Sequence, residues 1–159
     1  MAHLSISLLG SFQVTRDGKP VTGFESAKER ALLAFLAAES GRPHPREVLA
    51  ELLWPERPPG VALANLRHVL ANLRKAIADA SAQPPFLLIT QATLQFNLAS
   101  DTRVDLVEFT AYLHNIASAP PAACQAALAL RQGPFLEGFT LPGSPQFEEW
   151  VVVLSLIHI

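Results

Sequence analysis

Apolar and polar positions along this chain change period several times, and each change marks an element. Residues 3–9 (HLSISLL) alternate loosely and are rich in Leu and Ile, which predicts a strand. Gly10 breaks the run. Residues 12–16 (FQVTR) predict a second strand, and Asp17-Gly18 predicts a hairpin turn into a short third strand near Pro20 and Val21. The period then lengthens to that of a helix. Ser26, with Glu29 three residues later, forms a capping-box start. Leu32, Leu33, Phe35 and Leu36 give this helix its apolar side to about residue 39. A second, shorter helix is predicted over 46–53, with Leu49, Leu52 and Leu53 inward and Trp54-Pro55 at its end. Pro58, Pro59 and Gly60 space it from a long third helix over about 61–80. Residues 86–90 (FLLIT) and 93–97 (TLQFN) predict a β-hairpin around Gln91-Ala92. Further on, 105–117 and 122–131 predict two helices joined by Pro120-Pro121, and Gly133-Pro134 breaks the second. After a loop rich in aromatic and Leu residues at 135–141, a last helix starts at 144–150 with Phe147 and Trp150 on one face.

The third helix carries the most chemistry. Leu66, Leu70, Leu73 and Ile77 recur at helical spacing and form one apolar stripe. Asn65, His68, Asn72 and Lys75 are expected to point away from it, with Arg67 and Arg74 on one flank, and residues 64–77 contain no acid. A helix anchored by leucines that presents amides and cations suits the major groove of DNA. There Arg reads guanine edges, Asn reads adenine edges and Lys meets phosphate. His68, Asn72 and Lys75 are the expected base-edge or phosphate contacts, and Asn65 stands nearer the helix start. Arg67 and Arg74 reach phosphate, or pair instead with an acid such as Glu47 or Glu51. Arg42 and Arg46, beside the second helix, are further phosphate candidates. The competing reading of all these cations is an ordinary solvated face.

The order of three strands, three helices and a hairpin makes the fold class α+β. It is a winged helix-turn-helix with an amino-terminal antiparallel sheet and a carboxyl-terminal β-hairpin wing. An all-α segment follows, whose helix pair is of the kind stacked in tetratricopeptide (TPR)-like repeats. Half the residues are hydrophobic and 16% are charged, which argues against disorder. The net charge of −2 weighs against nucleic acid, but residues 1–100 sum to +2 and residues 101–159 to −4, so a mildly basic unit precedes an acidic one. The lone Cys124 excludes an internal disulfide, fits a reducing cytoplasm, and is expected to be a buried small residue in a helix. No apolar run reaches membrane-spanning length, so no membrane is expected as a partner. The five histidines show no metal-ligand spacing, and neither a phosphate-binding glycine loop nor a nucleophile elbow is present; no cofactor and no enzyme activity are expected. His44 is expected in a loop or cap, and Asp105 and Glu108 on an exposed helical turn. Trp54, Phe135, Leu136, Phe139, Phe147 and Trp150 are expected to pack the interior.

The strings LSISLLGSFQV, AKERALLAFLA, REVLAELLWP, ANLRHVLANLR, DLVEF, RQGPFLEGF and FEEW stand in one order. That order resembles an OmpR-type winged helix fused to a bacterial transcriptional activation domain, as in regulators of the SARP type. The resemblance spans residue 3 to about 150. It implies a winged helix over 1–99 and a shortened helical activation domain over 104–150. It also implies sequence-specific binding of double-stranded promoter DNA as a transcriptional activator. Homodimers on direct repeats and contact with RNA polymerase belong to the same implication, as does a bacterial cytoplasmic location. The alternative is a protein–protein interaction module without DNA binding. Two departures stand out. There is no Lys or Arg from residue 76 through 102, so wing contacts would rest on Thr90, Gln91 and Thr93 without counterion release. Residues 151–159 are almost wholly apolar, and LSLIHI reads like a translated transposase adapter, so this tail is expected to be non-native.

Overall fold

A computed structural model describes residues 3–114 and 121–157. The chain opens with β1 (Leu4–Ser7), β2 (Gln13–Arg16) and β3 (Lys19–Pro20). Asp17 and Gly18 both have positive φ, at 54° and 81°, as a two-residue hairpin turn with right-handed strand twist requires. Three helices follow, α1 (Ala27–Ala38), α2 (Arg46–Leu53) and α3 (Pro59–Ala76), with the short strand β4 (His44–Pro45) just before α2. Next come β5 (Leu87–Ile89), β6 (Thr93–Phe96) and β7 (Thr102–Val104), and then α4 (Asp105–His114), α5 (Pro121–Leu130) and α6 (Pro145–Ile157).

Among the described residues the strands form two sheets, ordered β3-β2-β1-β7 and β4-β6-β5. The pairing of β5 with β6 is the expected hairpin wing. Two strands were not foreseen. β4 adds to the wing through His44↔Leu94, and β7 joins β1 in parallel with Leu4↔Thr102. Each is three residues or shorter, too brief to show a polarity period.

Helix α1 is the centre of the core. Ala31 to Ala37 are all buried, Leu32, Leu33 and Leu36 completely. Ser26 caps its start, accepting from Lys28 N at 3.2 Å, and its hydroxyl meets Glu29 Oε1 at 2.5 Å. His44 is buried against Phe35 and bonds the carbonyl of Glu39, the last residue of the helix turn, at 2.7 Å. Of the loop or cap expected for it, the side chain makes a capping contact, while its backbone lies in β4 rather than a loop.

The carboxyl-terminal part shares this core. Gly10 N donates to Pro134 O at 3.0 Å and Leu136 N to Leu8 O at 2.7 Å, so the 134–136 segment runs along the end of β1. Phe135, Leu136 and Phe147 are buried, and Trp150 lies on Phe35 with ring centroids 4.8 Å apart. Ser144, itself buried, donates to Leu53 O at 2.7 Å. Lys28 Nζ donates to the same carbonyl and to Ser144 Oγ, above the Trp54 ring. Burial pushes the Lys28 ammonium below its ordinary value.

Several expectations change. α3 stops at Ala76 rather than near 80, because Ala78 turns left-handed (φ 54°, ψ 45°) and residues Asp79–Ser81 tighten into a 3-10 turn. α6 continues to Ile157, leaving Val152, Val153, Leu156 and Ile157 exposed. Asp105 is not on an exposed turn. Its carboxylate accepts from Leu8 N at 2.7 Å, Leu9 N at 3.0 Å and Ser7 Oγ at 3.2 Å, which locks α4 onto the end of β1. Glu108 pairs with Arg103 at 2.6 Å. The end of the fourth predicted helix at 115–117, the side chain of Cys124 and residues 158–159 lie outside what is described.

Candidate nucleic-acid interface

Burial fixes the rotation of α3. Leu66 and Leu73 are fully buried, and Ala62, Val69 and Leu70 nearly so. Each such Leu contributes about 1.5–3 kcal/mol, so the helix has one way to face. Pro59 opens the helix at its first turn, where a missing N–H costs nothing. The face left to solvent comprises Val61, Ala64, Arg67, His68, Ala71, Arg74 and Lys75. The side chains of Arg67, His68 and Lys75 carry no hydrogen bond or ion pair among the described residues. The small side chains between them let a partner come close to the helix backbone.

Other predicted contacts are arranged differently. Asn72 is half-buried and turned toward α1, with Nδ2 donating to the buried Glu29 Oε2 at 3.4 Å. It shares its flank with Asn65 and Ala76, which are half-buried too, so Asn65 also does not point straight out into solvent. An outward reading of Asn72 is therefore corrected. Arg74 pairs with an acid, but with neither Glu47 nor Glu51: its Nε donates to the buried Asp79 Oδ2 at 3.1 Å.

The wing also differs from expectation. Arg46 does not point free into solvent. Its Nε and Nη2 donate to Thr90 O at 3.1 and 2.7 Å, and its own N–H donates to Ala92 O. A guanidinium from α2 thus stands against a wing turn that has no cation of its own. The hydroxyls of Thr90 and Thr93 meet at 2.9 Å, and Thr90 Oγ1 accepts from the amides of Ala92 and Thr93. Both threonines are committed to holding the turn, and Gln91 is the exposed amide at its tip. Arg42 is largely exposed, 3.7 Å from Glu39. Pro45, Arg46, Glu47, Leu63, Arg67, Gln91, Ala92 and Thr93 line a cleft of about 330 Å³ between α3 and the wing.

Residues 24–92, which hold α1 through the wing turn, match the family model for the carboxyl-terminal domain of transcriptional regulatory proteins. The chain carries an OmpR-type winged helix. It is homologous to two named regulators. Transcriptional regulatory protein EmbR of Mycobacterium tuberculosis is 35% identical over 109 residues, 69% of this chain and 28% of that protein. Regulatory protein AfsR of Streptomyces coelicolor is 40% identical over 75 residues, 46% of this chain and 7% of that protein. The solved structure of Mycobacterium tuberculosis EmbR in complex with a low-affinity phosphopeptide superposes on 99% of this chain and 43% of that one, at 29% identity and a TM-score of 0.77. The chain therefore spans less than a third of the length of the curated relatives it matches. No helix among the described residues is long and apolar enough to cross a membrane, and no group of potential metal ligands occurs among them.

Proposed function

We propose that this chain is the DNA-binding part of a transcription regulator of the EmbR and AfsR type. The observation that carries the reading is the exposed, acid-free face of α3, on which the side chains of Arg67, His68 and Lys75 stand without partners among the described residues. Leucines hold that face outward, so the helix backbone that carries its donors is positioned before any ligand arrives, and the ordering cost left at binding is that of the long side chains. Arg67 and His68 serve as base-edge or phosphate donors, Lys75 as a phosphate contact, and Val61, Ala64 and Ala71 as apolar contacts to thymine methyl groups. The wing lies along the backbone, where Arg46 and Gln91 replace the missing wing cation and Arg42 adds a peripheral charge. Thr90 and Thr93 shape the turn.

In this reading residues 1–99 are the winged helix and residues 104–150 begin a TPR-like helical activation domain. That domain supports a homodimer on direct repeats and contact with RNA polymerase, in the bacterial cytoplasm. A fluorescence-anisotropy titration with duplex DNA at several salt concentrations tests it. The logarithm of affinity is expected to fall linearly with the logarithm of salt, with a slope of about −0.9 per neutralised phosphate. Arg67→Ala with Lys75→Ala is expected to flatten that slope. Salt-independent binding, or none, by the folded chain refutes the reading. The internal commitments of Arg46, Arg74 and Asn72 favour the alternative, a protein-binding winged helix; capture of a protein partner without DNA affinity is its signature.

A further inference from the structure

Asp79 is the most completely buried acid outside α1, with 1% of its surface exposed, and DNA recognition by the α3 face does not by itself require it. Its two oxygens face two different elements. Oδ1 accepts from the backbone amides of Phe86 and Leu87 at 2.8 and 3.1 Å, at the root of the wing. Oδ2 accepts from Arg74 Nε at 3.1 Å, on the last turn of α3. One carboxylate thus ties the recognition helix to the wing. It also grips Arg74 by the inner edge of its guanidinium. The arginine side chain remains 44% exposed, and both Nη groups are left without a partner among the described residues. Beside it Lys75 is exposed, and Ala71, Ala78, Ala80 and Ser81 complete a shallow hollow of about 500 Å³. The alanines keep the hollow open to a bulky group. The left-handed turn at Ala78 and the Ser81 hydroxyl bond to Ala78 O at 3.0 Å hold its floor. The hollow is continuous with the α3 face through Ala71 and Lys75.

We propose that Asp79 is a positioning residue that presents Arg74 to a DNA phosphodiester in this hollow, with Lys75 as the second cation. The inference rests on the DNA-binding reading above and adds a backbone contact at the far end of α3. A guanidinium held by Nε offers its two Nη groups as a fork, the geometry that matches two phosphate oxygens. Fixing the fork in advance removes the rotamer freedom an unanchored arginine would lose on binding. The small hollow admits a phosphate and the narrow backbone that carries it.

The test is an anisotropy titration of the full chain against a fluorescein-labelled mixed-sequence duplex across a salt series, with folding checked by circular dichroism. Arg74→Ala is expected to reduce the salt slope by about 0.9, the loss of one phosphate contact. Arg74→Lys keeps the charge but cannot be held by an Nε, so it is expected to keep the slope and bind more weakly than wild type. Asp79→Asn separates positioning from long-range charge. Removing a negative charge would by itself tighten binding to DNA, whereas loss of the anchor is expected to weaken it by about threefold or more. A folded Asp79→Asn variant that binds as well as or better than wild type overturns the proposal. So does an Arg74→Ala variant with an unchanged slope, or an Arg74→Lys variant with wild-type affinity. If wild type binds with a salt slope and these variants match it, the DNA-binding reading stands and the Asp79–Arg74 phosphate contact falls; if wild type does not bind, both fall.

Discussion

Replacing Asp105 by Ala tests whether the strand-to-helix junction holds the amino-terminal sheet and α4 together. The carboxylate accepts from the amides of Leu8 and Leu9, at 2.7 and 3.0 Å, and both leucines are buried to within 1%. Alanine leaves these two N–H groups without that acceptor, in a place water enters poorly. A hydrogen bond to a charged acceptor contributes about 1.5–3 kcal/mol, so two give about 3–6 kcal/mol. Asp105 is only partly buried, which screens its charge and favours the low end, about 3–4 kcal/mol. Single domains have about 5–15 kcal/mol of stability in all, so the variant is expected to sit close to unfolding. Asp105→Asn keeps one acceptor oxygen and is expected to lose roughly half as much. Urea denaturation followed by the fluorescence of Trp54 and Trp150 reads the midpoint, and hydrogen exchange at the Leu8 and Leu9 amides reads the junction itself. A stability for Asp105→Ala within about 1 kcal/mol of wild type, with those amides still protected, refutes the reasoning.

Other outcomes follow from single contacts. Ala78→Gly relieves a left-handed alanine and is expected to raise stability by about 0.5–1 kcal/mol in urea denaturation; a loss would contradict the αL assignment. Asn72→Ala is expected to cost about 0.5–1.5 kcal/mol of stability through its bond to Glu29 while leaving base preference unchanged in a competition titration. For Lys28, burial lowers the value from 10.5, so between that lowered value and 10.5 the unfolded chain binds more protons than the folded chain. Stability of wild type relative to Lys28→Met is therefore expected to rise as pH climbs toward 10.5 from below, and urea midpoints that run parallel on that approach would contradict it.

The helix-turn-helix was legible because its elements are long enough to carry a period. The leucines of α3 recur over three turns and fix both its existence and its buried face. The capping pair Ser26 and Glu29 marked the start of α1 to within a residue. β4 and β7 were not legible, since two or three residues paired across distant sequence leave no local pattern. Side-chain partners were the least legible level. Asn72 lies well off the leucine stripe, and only the position of α1 decides that its flank is covered. Arg74 has several acids within reach in sequence; the tight turn after α3 brings Asp79 to it, and that turn depends on a left-handed Ala78 that nothing in the sequence announces. Likewise the wing's missing charge is made up by Arg46, more than forty residues away, through a contact visible only once the β4 pairing is known.

The central claim is that the exposed face of α3 meets DNA, and amide chemical-shift mapping tests it most directly. The 15N-labelled chain is titrated with a short duplex. The account predicts that the largest shifts cluster at Val61, Ala64, Arg67, His68, Ala71 and Lys75, with a second group at Gln91 in the wing. Shifts confined to α4 and α6, or none while the chain stays folded, would contradict it.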